Sequence, residues 1–120
     1  MNMSRTEALN QIITFGEFRG SAFSQLLQFG FDTEIEHFKV TKTMLADVLN
    51  KYLSDVISAD DLDEWANFIE CRDDIDYSLI EGYVYALANP ELMGDISKHK
   101  IMKMLQMLNS PSLKFSFRHF

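Results

Sequence analysis

Eight carboxylates and one guanidinium lie between residues 60 and 76: Asp60, Asp61, Asp63, Glu64, Glu70, Asp73, Asp74, Asp76 and Arg72. Hard cations such as Ca²⁺ and Mg²⁺ take oxygen ligands, so D-D-x-x-E at Asp60–Glu64 and D-D-x-D at Asp73–Asp76 are the first places to test for metal. An EF-hand loop opening at Asp74 requires glycine at its sixth position and glutamate at its twelfth; Leu79 and Tyr85 stand there instead. Asp60 and Asp61 fall in the first turn of a helix opened by Ser58, where the helix dipole favours negative charge. Carboxylate pairs that hydrolyse by acid/base chemistry need one raised pKa in a cleft, which spacing alone does not supply. His37, His99 and His119 are far apart and lack metal-ligand spacing, and any base for Cys71 would have to come from the fold. No G-x-S-x-G, phosphate loop or H-E-x-x-H occurs. The residues spell no recognisable enzyme, and neither a metal nor a cofactor is expected.

Charge gives the more informative pattern. The chain carries −7 overall, but residues 55–81 hold ten acids against a single base, Arg72, and so carry −9. Residues 1–54 sum to −1 and residues 82–120 to +3. Arg72 is expected to bridge Asp73, Asp74 or Glu70 through a forked guanidinium contact and so organise a helix end. The other acids then remain to face a partner, and an acidic surface steers basic partners while repelling nucleic acid. Lys98, Lys100, Lys103, Lys114, Arg118 and His119 alternate with Phe115, Phe117 and Phe120 near the C-terminus. That mixture suits nucleic acid or the chain's own acidic segment, and the net charge argues against nucleic acid. Met102, Met104 and Met107 on the last helix are expected to fill the core.

The elements that position these residues follow from composition and period. The 120 residues are 47% apolar with only two prolines and five glycines, which favours one helical domain over a turn-rich β fold. No run approaches the length of a membrane span, and no signal peptide is evident at the N-terminus. A lone cysteine cannot form an internal disulfide, so a cytoplasmic protein is expected.

Ser4 with Glu7 reads as a capping box that starts a helix over about residues 5–18, with Leu9, Ile12, Ile13 and Phe15 apolar. Ser21 is a candidate cap for a short second helix with Phe23, Leu26, Leu27 and Phe29 apolar, ending at Gly30. Residues 31–40 show weak alternation around Phe38 and Val40. Thr41 or Thr43 opens the next helix, with Leu45, Val48, Leu49, Tyr52 and Leu53 on one face.

Ser58 with Asp61 forms a box between the staple residues Ile57 and Leu62, and Leu62, Trp65, Ala66 and Ile69 make the buried stripe, joined by Phe68. Asp76 or Ser78 opens a further helix with Leu79, Tyr83, Ala86 and Leu87, stopped by Asn89-Pro90, with a turn over Glu91–Gly94. Asp95 or Ser97 caps the last helix, which faces Ile101, Met104, Leu105 and Leu108 inward and ends at Pro111. The expected fold is all-α, one domain over residues 1–120 with five or six helices, and a short strand or an irregular tail at the C-terminus.

The strings ISADDLDEWANFIECRDDIDY and YALANPELMGDIS also carry a resemblance. Leu49, Leu53, Ser58, Leu62, Trp65, Ala66, Asn67, Glu70, Arg72, Asp73, Asp74, Ile75, Leu87, Ala88, Asn89, Pro90, Glu91, Leu92 and Gly94 match a pattern resembling a family of small acidic bacterial proteins, over about residues 40–108. Cys71 departs from the pattern, where a small residue such as glycine is more usual. Proteins that look like this include immunity proteins of contact-dependent growth inhibition systems. The resemblance implies a cytoplasmic, non-enzymatic protein that binds and neutralises a cognate toxin domain, a basic nuclease in many such systems.

On that expectation Asp60, Asp61, Asp63, Glu64, Asp73, Asp74 and Asp76 form the partner surface, and Trp65, Arg72, Asn89 and Pro90 are structural. No nucleic acid or membrane partner is expected, and the oligomeric state is monomer or weak homodimer. Two other classes compete: a helical adaptor or regulatory protein, which would dimerise through the last helix, and a metal-dependent enzyme using Asp73, Asp74 or Asp76.

Overall fold

A computed structural model of the chain describes residues 3–29 and 37–109. Its elements in chain order are helices α1 (Arg5–Ile13) and α2 (Arg19–Leu26), strand β1 (Phe38–Lys39), and helices α3 (Lys42–Leu53) and α4 (Ala59–Glu70). Strand β2 (Ile75–Asp76), a 3-10 turn (Ser78–Ile80), and helices α5 (Glu81–Ala88), α6 (Pro90–Met93) and α7 (Lys98–Leu108) follow. The fold is all-α as expected. Of the seven helices among the described residues, the one beyond the expected five or six is the single turn α6, where a plain turn was expected.

Local signals set most helix starts. Ser4, Thr41, Ser58 and Ser97 are N-caps whose side-chain oxygens accept from the backbone N–H three residues on. At Ser58 the box is reciprocal, since Asp61 Oδ2 accepts the Ser58 N–H at 2.8 Å. Ile57 and Leu62 are both buried, as a hydrophobic staple requires.

The first helix stops at Ile13 rather than near residue 18. Thr14 and Phe15 turn the chain into a left-handed cap, with Phe15 at φ 53°. The Gly16 N–H reaches Gln11 O at 2.8 Å and the Phe15 N–H reaches Ile12 O, the paired bonds of a Schellman motif. The next helix starts at Arg19, not at a Ser21 cap. The amide of its N-cap is met from a distance, because Gln11 Oε1 accepts the Phe18 N–H at 2.9 Å. Gly20 therefore lies inside α2. Of the apolar residues expected on that helix only Leu26 is buried, while Phe23, Leu27 and Phe29 are exposed.

The α3 end repeats the left-handed cap. Asp55 adopts φ 62°, and the Val56 N–H bonds Lys51 O at 2.8 Å. Lys98 Nζ, on α7, donates to the carbonyls of Tyr52 and Leu53, both at 3.0 Å, and to Asp55 Oδ1 at 2.6 Å. Every one of the last four α3 carbonyls thus has a partner, and the same contact ties α3 to α7.

Two further expectations are corrected between α4 and α7. Asp76 and Ser78 do not open a long helix. Asp76 Oδ1 accepts both the Ser78 N–H (3.0 Å) and the Ser78 hydroxyl (2.7 Å), a local turn that uses the oxygen and the serine a helix cap would need. Helix α5 starts only at Glu81, leaving Leu79 46% exposed. Glu91–Gly94 is not a plain turn either: Pro90, at a helix's first position, begins the single-turn α6, and Gly94 at φ 95° ends it. Lys100, itself buried, donates from Nζ to the carbonyls of Met93 and Gly94 at 2.6 and 2.7 Å and so caps that turn.

Strands β1 and β2 pair in parallel, with Phe38 opposite Ile75 and Lys39 opposite Asp76. That ladder lies in mid-chain. The C-terminal tail expected to hold a strand, the ends at Gly30 and Pro111, and residues 31–36 lie outside the described residues. Helix α1 packs on α2, α4 on α5 and α3 on α7. One apolar cluster runs from Met3 to Met104 with Trp65, Leu9, Leu49, Leu62 and Leu87 at its centre. No helix among the described residues is long and apolar enough to cross a membrane.

Candidate partner-binding surface

Helix α4 is the main carrier of the acidic segment. Its capping box fixes the start, and Leu62, Trp65, Ala66 and Ile69 fix its inner face, all fully buried. Helical geometry then sends Asp60, Asp63, Glu64 and Asn67 to the opposite side. Asp60 and Glu64 are exposed, and Asp61 and Asp63 are half-buried. Asp61 is held by the cap, and Asp63 Oδ1 accepts from Asn67 Nδ2 at 2.6 Å. Among the described residues, ion pairs reach only Asp55 and Asp74 of the ten acids in 55–81.

Trp65 locks this helix to α1. Its ring is fully buried and Nε1 donates to Ile13 O at 2.9 Å. Ile13 O is one of the four terminal carbonyls of α1. The other three are met by Thr14, Gly16 and Phe15, and Arg19 Nε adds a bond to Ile12 O at 3.3 Å.

The end of α4 shows what the R-D-D string does. Arg72 grips Asp74 with both arms, Nε to Oδ1 and Nη2 to Oδ2, each at 2.7 Å. Arg5 of α1 approaches the same carboxylate at 3.7 Å. Asp74 is only 8% exposed, and its carbonyl accepts the Phe38 N–H at 2.8 Å. One residue thus joins α1, the α4 terminus and the β1–β2 ladder. The Arg72 hydrogen bonds hold the Asp74 carboxyl below the usual aspartate range against the opposing effect of burial, and raise Arg72 in turn. The expected role of Arg72 is met through Asp74, and Asp74 therefore leaves the partner surface. Asp73 stays exposed. Asp76 is half-buried and engaged with Ser78, whose backbone N–H in particular holds its carboxyl low.

Asn89 and Pro90 have the structural places expected of them. Asn89 Nδ2 donates to Tyr85 O at 2.9 Å, and its carbonyl accepts from Leu92 and Met93 as α6 begins. Among the described residues no three His, Cys, Asp or Glu side chains converge on a point where a metal would sit.

Sequence reasoning missed the neighbour of the acidic face. Helices α2 and α4 leave an open groove of about 650 Å³ lined by Arg19, Phe23, Asp63, Glu64, Asn67, Phe68, Cys71 and Arg72. Phe23 meets Phe68 edge-to-face, with centroids 5.6 Å apart at 86°. The Arg19 guanidinium stacks at 4.4 Å from the Phe15 ring and 4.8 Å from Phe23, and Arg72 lies 5.5 Å from Phe68. Burial pulls the Arg19 pKa down, while Asp61 and Glu64 oppose that shift electrostatically. Phe18, Leu27 and Phe29 are also exposed. The signal was present as the apolar residues of 18–29, which a helical-core reading assigned inward. No family model, curated protein or solved structure matches the chain.

Proposed function

We propose that the protein works by binding, as an immunity protein that captures a basic toxin domain of a contact-dependent growth inhibition system on its α2–α4 face. The observation that carries this reading is the outer row of α4. Asp60, Asp63 and Glu64 make no ion pair among the described residues, and Asp63 and Glu64 line a groove with the exposed Phe23 of α2. Carboxylates left unpaired on one face speed the approach of a positively charged partner and can occupy a nuclease's phosphate-binding groups. The aromatic side chains supply the desolvated anchors on which interface affinity concentrates.

Co-expression with the toxin domain encoded beside this gene tests the reading. Neutralised toxicity, a co-purifying complex and an association rate that falls steeply with salt are expected. A complex indifferent to salt and to charge reversal at Asp60, Asp63 and Glu64 would refute the electrostatic mechanism. Absence of any neutralised or co-purified toxin domain would sink the function itself.

A further inference from the structure

We propose that helix α2 is a lid on α4 that opens and closes as one unit while the rest of the fold stays formed. A stack of phenylalanines and arginines anchored at Asp74 is the clasp that holds it shut. The lid belongs to this chain alone and stands or falls apart from toxin capture. The resources of α2 itself are small. It has eight residues, short for a helix to persist unaided, and no side-chain cap. Gly20 sits in its interior, where a Cβ would meet nothing within 4 Å. Of its side chains only Ala22 and Leu26 are buried, whereas α4 buries Leu62, Trp65, Ala66 and Ile69 completely. Few buried contacts mark an element that opens at a lower free energy than global unfolding. The turn before it is firmer. The Gly16 and Phe18 amides both donate to Gln11, so an open α2 stays hinged to α1.

The clasp starts on the lid. The Arg19 guanidinium lies 4.8 Å from the Phe23 ring, and Phe23 meets Phe68 of α4 edge-to-face at 5.6 Å. Phe68 rests in turn against the Arg72 guanidinium at 5.5 Å. Arg72 is held by its fork on both oxygens of Asp74, at 2.7 Å each, and Asp74 is buried beside the β1–β2 ladder. The α4 half of the clasp is therefore fixed, and the two halves part between Phe23 and Phe68. Ring–ring and ring–guanidinium contacts are individually weak, which suits a closure that forms and breaks without unfolding the core. Opening also dissolves the groove, whose Arg19 and Phe23 come from α2 and whose Asp63, Glu64 and Asn67 come from α4. A partner that touches both walls meets only the closed fraction, so its apparent affinity scales with that fraction.

Native-state hydrogen exchange on the full chain, followed by NMR amide by amide across low urea concentrations, tests the lid. The amides of residues 22–26 are expected to share one shallow urea dependence. Relative to their intrinsic rates they should exchange roughly a hundredfold or more faster than those of Trp65, Ala66 and Ile69. Phe68→Leu, which breaks the clasp from the α4 side, should speed exchange at 22–26 by roughly three- to tenfold. Arg72→Lys keeps the charge but loses the fork and the flat face, and should speed it by roughly two- to fivefold. Gly20→Ala should slow it by roughly two- to fivefold. Asp55→Ala, just past the end of α3, should speed exchange in α4 and leave 22–26 unchanged.

A steep urea dependence at 22–26 that merges with that of α4 would overturn the proposal, because α2 would then open only with the whole fold. So would exchange graded inward from the helix ends and indifferent to Phe68→Leu, which is fraying and not a lid. Unchanged exchange at 22–26 in both Phe68→Leu and Arg72→Lys would overturn the clasp.

Discussion

Replacing Asp74 with asparagine keeps the shape of the α4 terminus and removes its charge. The aspartate accepts two charge-assisted hydrogen bonds at 2.7 Å from Arg72. Asparagine keeps one acceptor and turns a donor toward the second arm of the guanidinium. A hydrogen bond to a charged group is worth about 1.5–3 kcal/mol. Arg72 is 29% exposed, so water recovers part of the loss, and a net cost of about 2 kcal/mol follows. For a domain of this size that lowers the melting temperature by roughly 6–10 °C.

The pH dependence carries the sharper test. The folded-state pKa of Asp74 is depressed below its ordinary value. Its stabilisation is therefore complete above the unfolded aspartate pKa of about 3.9 and is lost as pH falls through the lower, folded value. Thermal melts followed by circular dichroism, run from neutral pH into strong acid, should show the gap between wild type and Asp74→Asn open at neutrality and closing in acid. The reasoning fails if that gap is below about 0.5 kcal/mol at neutral pH, or if it is unchanged where the wild-type carboxylate is protonated.

Trp65→Ala should cost about 3–5 kcal/mol from the cavity alone, plus the stranded Ile13 carbonyl, read as a large fall in the urea midpoint. Gly20→Ala should stabilise by about 0.5–1 kcal/mol, because a Cβ there meets nothing within 4 Å; a lower melting temperature would contradict this. Asp55→Ala should destabilise by about 1–2 kcal/mol, since the residue holds φ 62°. Asp55→Gly should recover most of that in urea denaturation, because the Lys98 pair at an 85% exposed carboxylate contributes little.

Much of the helical plan was legible because its signals are local. A serine or threonine meets an amide three residues on whatever the rest of the chain does, so Ser4, Thr41, Ser58 and Ser97 could be read as caps. A long helix opened by Asp76 or Ser78 was equally plausible in one dimension and did not form. Asp76, two residues earlier, takes the Ser78 N–H and hydroxyl, and pairing of Ile75–Asp76 with Phe38–Lys39 holds the segment extended. The α2 start was illegible for a related reason: its N-terminal amide is met by Gln11, seven residues back across a turn.

By itself the sequence determined the all-α class, the inner face of α4 and the concentration of negative charge between residues 55 and 81, since period and composition need no partner. Tertiary structure decided which of those charges remain outside. Asp73 and Asp74 are adjacent and chemically identical, yet the Phe38 N–H draws the Asp74 backbone into the ladder and delivers its carboxylate to Arg72, while Asp73 stays in solvent. Packing of α2 across α4 likewise built a groove from Phe23 and Phe68, residues 45 positions apart whose meeting no local period encodes.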